Sequence, residues 1–220
     1  SSPILYAFSR HVVPAASDWP GDAHVTGYWS LEGVGDWQPP RKLLSFLERD
    51  APPVCIAFGS TVTADQERLS LAALEALRLT GHRGVVVGEV PQAQHLPEDV
   101  FQVDYAPYEW LFPRMVAVIH HGGAGTTGKA LGAGVPSVVV PFTSDQPFWG
   151  RRVHELGAGP RPIPASRISA SKLSEAIISA TQDSDVRRRV ESISKAMDRE
   201  DGVKEAVRLI GRHLDQPGGR

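Results

Sequence analysis

Residues 118–129 have the sequence VIHHGGAGTTGK, in which an apolar run ends in two histidines and passes into a glycine-rich turn. The apolar run predicts the end of a buried strand, and the residues after Gly125 follow a helical pattern. Glycine lets backbone N–H groups approach an anion closely, and a helix start adds a positive dipole end. The stretch therefore predicts a strand, a phosphate-binding turn and a helix in direct succession.

Short apolar runs alternate with helical patterns on both sides of this stretch, from Arg41 onward. The runs are mostly continuous, which is typical of parallel strands that are covered on both faces. We predict strands at 54–58, 84–87, 100–104, 116–120 and 137–142, and helices at 64–79, 108–112, 126–133 and 146–156. This alternation indicates an α/β fold with a Rossmann-like, doubly wound parallel sheet. The C-terminal part adds two or three amphipathic helices, which we expect to pack on the sheet edge or across to another domain.

The chain divides into three parts by composition. Residues 1–40 carry two short extended runs between Pro, Gly and Asp, and we interpret them as the remnant of an N-terminal domain and an interdomain linker. Residues 41–215 form the predicted α/β domain, and residues 216–220 are a frayed tail. The chain starts at Ser1 without an initiator Met or an apolar leader, so none of its residues reads as a signal peptide. We interpret the chain as a piece of a longer protein.

Composition excludes several classes of protein. The 220 residues include 23 Lys and Arg against 25 Asp and Glu, a net charge of −2, which argues against an electrostatic binder of nucleic acid. No apolar run approaches the roughly 20 residues that cross a bilayer. The single cysteine, Cys55, lies in an apolar run and is predicted to be a buried small hydrophobe, which fits a reducing, cytoplasmic compartment.

The glycine-rich turn matches two general phosphate-binding patterns. Gly123-x-Gly125-x-x-Gly128 after a strand fits the dinucleotide fingerprint, and Asp145 follows the next strand where a ribose-binding acid would lie. This match keeps an NAD- or FAD-binding oxidoreductase domain open as an alternative. A Walker-type phosphate loop fails, because Ala130 stands where a hydroxyl would hold magnesium. Neither pattern uses the histidines at the end of the strand.

A third interpretation uses His121, because a histidine beside helix-start amides can donate a hydrogen bond to a diphosphate. The motif 121–126, followed by AGVP at 133–136 and PFTSDQ at 141–146, resembles the donor-binding signature of inverting glycosyltransferases of the two-domain GT-B fold. The sterol glucosyltransferases and the bacterial enzymes that glycosylate glycopeptides and polyketides are the most similar branch. Residues 104–113, 58–60 and 12–29 extend the likeness, which implies that the chain is the C-terminal, donor-binding half of such an enzyme.

The resemblance implies a role for each matching position. His121 would contact the donor diphosphate, Ser60 would approach it from the opposite loop, and Asp145 with Gln146 would bind hydroxyls of the transferred sugar. Tyr105 falls in the loop that would border the nucleobase. The implied donor-binding set is Ser60, Tyr105, His121, Gly123, Gly125, Thr126, Thr127, Asp145 and Gln146. No metal and no cofactor are implied.

The chain departs from the family pattern at Lys129. Plant-type members carry a ribose-binding Glu at this position, so the residue that recognises the ribose is unassigned here. Lys129 could reach a phosphate or point to solvent, and we expect it to point to solvent. Asp183 and Asp185 mimic the metal-binding Asp-x-Asp of another glycosyltransferase fold, but they lie between helical patterns, where Asp is an ordinary cap residue.

The resemblance also implies what lies outside this chain. In GT-B enzymes an N-terminal domain binds the acceptor and supplies the general base, so no general base is expected among these residues. The implied reaction moves a hexose, by the sterol likeness glucose from UDP-glucose, to a hydroxyl of a lipophilic acceptor such as a sterol or a polyketide or glycopeptide aglycone. A dTDP-sugar stays open as donor. We expect the chain to bind donor but to transfer little sugar without its acceptor domain or a partner subunit. If the acceptor is a sterol, we expect the enzyme to contact the membrane peripherally.

Overall fold

The computed structural model describes residues 2–30, 35–58, 66–88 and 96–215. Strands and helices alternate along the chain, as the sequence predicts. The strands are β1 (Ile4–Tyr6), β2 (Ala23–Val25), β3 (Val54–Ala57), β4 (Gly84–Val87), β5 (Val100–Val103), β6 (Ala117–His120) and β7 (Ser137–Val139). The helices are α1 (Arg41–Glu48), α2 (Gln66–Thr80), α3 (Tyr108–Leu111), α4 (Ala124–Gly132), α5 (Gln146–Glu155), α6 (Ala170–Gln182), α7 (Ser184–Met197) and α8 (Gly202–Leu214).

Five strands form one parallel sheet in the order β5-β4-β3-β6-β7. The chain winds outward from β3 through β4 to β5, and then returns to the other side of β3 for β6 and β7. The strand order therefore reverses between β3 and β6, and ligands of open α/β sheets bind outside the carboxyl ends of the strands at such a point. The Rossmann-like α/β fold that the sequence predicts is confirmed.

The two faces of the sheet bury alternate residues of the same strand. On one face Val54 and Ile56 pack with the apolar sides of α2 and α6. On the other face Cys55 and Ala57 pack with α1, α3 and α4. Cys55 is fully buried, and burial raises the pKa of its thiol, so the prediction of a buried hydrophobe is confirmed.

Element boundaries differ from the sequence predictions by a few residues. The last strand ends at Val139 rather than at residue 142, because Pro141 has no N–H with which to continue the ladder. Helix α4 begins at Ala124, two residues earlier than predicted, because Gly123 adopts the extended conformation of a helix N-cap. Helix α1 was not predicted, although Leu43 and Phe46 give it an apolar side that is buried. Residues 64 and 65 of the helix predicted over 64–79 lie outside the described residues.

The N-terminal segment packs against the sheet domain. Strands β1 and β2 pair in parallel as a separate two-stranded sheet. Val12 is fully buried in a cluster with Leu131 and Trp149, and its carbonyl oxygen accepts a hydrogen bond from Nε of Arg152 at 2.8 Å. The division of the chain at residue 40 stays a prediction, and residues 216–220 lie outside the described residues.

The three helices α6, α7 and α8 follow α5, in agreement with the amphipathic pattern of the C-terminal part. Asp183 accepts a hydrogen bond from the backbone N–H of Asp185 at 2.8 Å, so this Asp-x-Asp caps α7 as predicted. Helix α7 packs on α4, where the hydroxyl of Ser194 donates to the carbonyl of Gly132 at 2.6 Å. Helix α8 leaves an apolar stripe exposed, formed by Val203, Val207, Ile210 and Leu214. Among the described residues, the helices are too short or too polar to cross a bilayer.

Candidate functional site

The candidate site lies where β6 and β7 end beside β3. The register pairs Ala57 with His120 and His120 with Val139, so the three strands end at one edge of the sheet. The segments that leave this edge carry most of the predicted donor-binding residues. Ser60, which belongs to the segment after β3, lies outside the described residues.

His120 and His121 occupy different environments because successive residues of a strand point to opposite faces. His120 is fully buried, and its Nδ1 accepts a hydrogen bond from the backbone N–H of Gly122 at 3.1 Å. Burial, with a smaller effect from the neighbouring His121, lowers the pKa of His120 to about 3. His120 is therefore a neutral structural residue that holds the turn.

Two glycines let the chain turn sharply under the imidazole of His121. Gly122 has φ of +89°, and a Cβ there would lie 2.7 Å from Cγ1 of Val139. A Cβ at Gly123 would lie 2.6 Å from Nε2 of His121, so the ring sits directly over this glycine. Any larger residue at either position would displace the ring or the neighbouring strand.

The start of α4 presents free backbone donors. The first hydrogen bond of the helix runs from the N–H of Thr127 to the carbonyl of Gly123 at 2.9 Å. The N–H groups of Ala124, Gly125 and Thr126 precede it and have no acceptor within the helix. Gly125 is exposed, and the space where its Cβ would stand is open. Together with the helix dipole, these donors form a site for an anion.

His121 completes this anion site from the side of β6. Its side chain is half-buried, and burial lowers its pKa, while the Ala57 carbonyl and the Asp145 carboxylate act in the opposite direction. Burial therefore favours the neutral imidazole, which carries a single N–H. A bound diphosphate would favour the protonated ring, which would then donate from both nitrogens.

Asp145 and Gln146 lie at the start of α5, on the same edge of the sheet. Asp145 is exposed, and its Oδ2 accepts a hydrogen bond from Nε1 of Trp149 at 2.7 Å. Gln146 is buried, and its Oε1 accepts from the backbone N–H groups of Phe142 and Thr143 at 2.8 and 3.2 Å. The amide oxygen of Gln146 is thus used within the loop, which leaves its NH₂ group as the hydrogen-bonding part for a ligand.

The two loops contact each other. A Cβ at Gly122 would lie 3.0 Å from the backbone carbonyl of Gln146. The strained backbone of Ser144, with φ of 59°, turns the chain into α5 so that Asp145 follows at the helix start. Carboxylate, amide and imidazole are therefore gathered beside the free amides of α4.

Two predicted site residues lie apart from this cluster. Thr127 is fully buried and its Oγ1 has no hydrogen-bond partner among the described residues, because the helix turns this side chain toward the sheet. We therefore leave Thr127 out of the candidate site. Tyr105 is 64% exposed in the loop after β5, separated from β6 by two intervening strands.

The expectation that Lys129 points to solvent holds only in part, because its side chain is 36% exposed and also paired. Its Nζ forms an ion pair with Oε1 of Glu109, which links α4 to α3. Burial lowers the pKa of Lys129, whose side chain is only partly exposed. The sequence analysis missed this pair, because the two residues are twenty positions apart and neither belongs to a common periodic pattern.

A cavity of about 480 Å³ opens beside this ion pair. It runs along the outer side of α4, where small residues at a spacing of three to four leave room. Its lining includes Tyr28, Trp29, Glu109, Pro113, Gly125, Gly128, Lys129, Gly132 and Met197. Across the described residues, His, Cys, Asp and Glu side chains form no cluster of three that could hold a metal ion.

Residues 82–210 match the family described as "Erythromycin biosynthesis protein CIII-like, C-terminal domain". The match covers more than half of the chain. The chain belongs to this family. The matched range contains the glycine-rich turn, α4, α5, α6 and α7, and it ends within α8.

Curated relatives of this CIII-like domain are named glycosyltransferases. The domain is 41% identical over 215 residues to sterol 3-beta-glucosyltransferase UGT80A2 of Arabidopsis thaliana, with 96% of the chain and 34% of the relative covered. It is also 41% identical over 209 residues to O-mycaminosyltylonolide 6-deoxyallosyltransferase of Streptomyces fradiae, with 94% and 49% covered. The chain therefore spans about a third to a half of the length of these relatives.

Solved structures of glycosyltransferases share the fold. The CIII-like domain superposes on CalG4, the calicheamicin glycosyltransferase, with a TM-score of 0.79 and 25% identity, covering 99% of this chain and 53% of that one. The glycosyltransferase of kitacinnamycin gives a TM-score of 0.78 at 24% identity, with 96% and 54% covered. The predicted membership of the C-terminal part of GT-B glycosyltransferases is confirmed, and the dinucleotide-binding oxidoreductase is not favoured.

Proposed function

We propose that the chain is the donor-binding domain of an inverting glycosyltransferase that moves a hexose from a nucleotide sugar to a hydroxyl of a lipophilic acceptor. One observation carries the proposal: the free amides of α4, the imidazole of His121 and the polar side chains of Asp145 and Gln146 meet at one edge of the sheet. This arrangement fits a ligand in which an anion is covalently joined to a polyhydroxyl group, such as a sugar diphosphate.

The diphosphate binds at the start of α4. The N–H groups of Gly125 and Thr126 and the Thr126 hydroxyl face it, and Gly123 lets the His121 ring approach from above. Charge-assisted hydrogen bonds of this kind are shorter and stronger than neutral ones. Ser60 is proposed to reach the same diphosphate from the segment after β3, and Tyr105 to border the nucleobase.

The transferred sugar binds between Asp145 and Gln146. The carboxylate of Asp145 accepts from sugar hydroxyls with Oδ1, while its Oδ2 is held by Trp149. The NH₂ group of Gln146 donates to a neighbouring hydroxyl, since its carbonyl oxygen is engaged. A fixed acceptor beside a fixed donor recognises a pair of adjacent hydroxyl groups.

The chemical step needs a general base that deprotonates the acceptor hydroxyl for in-line attack on the anomeric carbon. We propose that this base belongs to an acceptor-binding domain, as the resemblance to two-domain GT-B enzymes implies. His121 and the amides of α4 stabilise the charge that develops on the departing diphosphate. Inversion at the anomeric carbon follows from a single displacement.

The exposed apolar stripe of α8 supports the proposal of an acceptor-binding domain. Val203, Val207 and Leu214 lie on one side of the helix and are largely exposed. An apolar face of this kind on an amphipathic helix marks an interaction surface. We propose that the acceptor-binding domain packs on it, in keeping with relatives that are two to three times as long as this chain.

UDP-glucose and a sterol are the first donor and acceptor to test, because a curated relative with 41% identity is named a sterol 3-beta-glucosyltransferase. A dTDP-sugar and a polyketide or glycopeptide aglycone are the second pair. The test is a transfer assay with radiolabelled UDP-glucose and a sterol, with and without the acceptor-binding part of a relative. Transfer only in its presence supports the proposal, and efficient transfer by the 220 residues alone contradicts the assignment of the base.

A further inference from the structure

The ion pair between Glu109 and Lys129 lies beside the start of α4. Both side chains are partly exposed, at 42% and 36%. An ion pair with this exposure contributes little to the stability of a fold, because water and salt screen it. Both residues line the 480 Å³ cavity, and Lys129 lies one helical turn from the exposed Gly125, so the ion pair is open to a ligand.

Helix α4 separates this ion pair from the proposed sugar site. Ala130 of α4 packs in the cluster that contains Leu111, next to α3. Leu131 of α4 packs in the cluster that contains Trp149 of α5. The helices α3 and α5 therefore flank α4 on opposite sides, and Glu109 and Asp145 lie on opposite sides of the free amides.

A nucleotide sugar has a fixed linear order of sugar, diphosphate, ribose and base. When the sugar contacts Asp145 and the diphosphate covers the start of α4, the ribose extends toward α3. The base then continues toward Tyr105, which precedes α3 in the chain and is exposed. Glu109 of α3 and Lys129 of α4 are charged groups that line the cavity beside α4.

We propose that the carboxylate of Glu109 accepts hydrogen bonds from the ribose hydroxyls, and that Lys129 is the positioning residue that orients this carboxylate. The inference rests on the proposed donor-binding function. Oε1 of Glu109 is held by Lys129, which leaves Oε2 and the outer lone pairs for a ligand. Lys129 also neutralises a negative charge that would otherwise repel the diphosphate. The site therefore prefers ribonucleotides to 2′-deoxyribonucleotides, and UDP-sugars to dTDP-sugars.

The experiment compares UDP with 2′-deoxy-UDP by calorimetric titration, because these nucleotides differ in one hydroxyl. The unmodified chain is measured beside Glu109→Ala, Glu109→Gln and the control Glu75→Ala. Glu75 forms an exposed ion pair with Arg78 on α2, so its removal deletes a similar pair far from the site. Thermal unfolding of each variant shows that it is folded.

The expected result is that the unmodified chain and Glu75→Ala bind UDP about tenfold or more tightly than 2′-deoxy-UDP, the range for a hydrogen bond to a charged acceptor. In Glu109→Ala the ratio of the affinity for UDP to that for 2′-deoxy-UDP falls to near one, while the affinity for 2′-deoxy-UDP does not fall. Glu109→Gln, with a neutral acceptor, gives an intermediate ratio.

Three outcomes overturn the inference. Equal binding of the two nucleotides by the unmodified chain overturns the assignment of Glu109 while leaving the donor-binding proposal intact. If Glu109→Ala still binds UDP more tightly than 2′-deoxy-UDP by the same ratio, another residue recognises the ribose. Absence of UDP binding by the folded, unmodified chain overturns the donor-binding proposal together with this inference.

Discussion

His120 and His121 are adjacent in the chain, yet only His121 faces the candidate site. His120 is fully buried with its Nδ1 bonded to the N–H of Gly122, whereas the ring of His121 lies over Gly123. The first histidine fixes the turn, and the second places its imidazole beside the free amides of α4. Because successive side chains of extended chain point to opposite sides, one histidine has a structural role and the other is placed for binding.

The pH dependence of stability tests the role of His120. Its pKa is about 3 in the folded state against 6.5 in the unfolded chain, so the unfolded state binds the proton more tightly. The free energy of unfolding therefore decreases as the pH falls from 6.5 toward 3, by up to about 1.4 kcal/mol per pH unit from this residue. In His120→Asn the amide oxygen keeps an acceptor for Gly122, and this part of the slope disappears. Urea unfolding across the pH range measures both slopes, and equal slopes contradict the burial of a neutral His120.

Gly123→Ala tests the placement of the His121 ring. The new Cβ would lie 2.6 Å from Nε2, so the ring must move away from the amides of α4. We expect UDP affinity to fall by about tenfold, the value of a hydrogen bond to a charged group. Gly211→Ala is the control, because nothing lies within 4 Å of its Cβ in α8. Unchanged UDP binding in a folded Gly123→Ala would show that the ring does not act at this position.

Trp149→Phe tests the orientation of Asp145. The substitution removes the Nε1 donor that holds Oδ2 and keeps an aromatic ring in the core. Asp145 then loses its fixed orientation, and we expect the affinity for UDP-glucose to fall several-fold relative to that for UDP. Trp37→Phe, which alters an aromatic pair with Trp110, is the matched control. Calorimetric titration gives both affinities, and a parallel loss for the two ligands would indicate a general loss of structure.

Gly128→Ala tests the packing of the N-terminal segment on α4. A Cβ at Gly128 would lie 2.3 Å from the ring of Tyr28, which rests directly on the helix. Overpacking of this kind costs about 1–3 kcal/mol of stability. Gly211→Ala, at an open helical position, is expected to stabilise the chain by roughly 0.5–1 kcal/mol. Denaturant unfolding compares the two, and a stabilised Gly128→Ala would show that residues 8–30 are not anchored there.

The sequence predicts the fold well because its signals are local. Continuous apolar runs such as Val54–Ala57 mark strands that are buried on both faces, and the glycine turn after His121 marks the start of a helix. The boundaries shift by one to three residues, because Pro141 and Gly123 impose conformations that an apolar pattern does not contain.

The site is predicted only in part, because it is built from contacts across helices. Thr127 follows Thr126 directly, yet the turn of the helix buries one and leaves the other accessible. Lys129 and Glu109 meet because α3 packs beside α4, a relation that no spacing in the sequence shows. The engagement of the Gln146 oxygen with its own loop likewise depends on the fold of residues 142–146.

The central claim is that this domain binds a nucleotide sugar through His121. Calorimetric titration of the chain with UDP, UDP-glucose, dTDP and NAD, repeated on His121→Ala, tests it most directly. The account predicts that UDP and UDP-glucose bind, that both affinities fall by about tenfold or more in the variant, and that NAD does not bind. Binding of NAD alone, or UDP binding that His121→Ala leaves unchanged, would contradict the account.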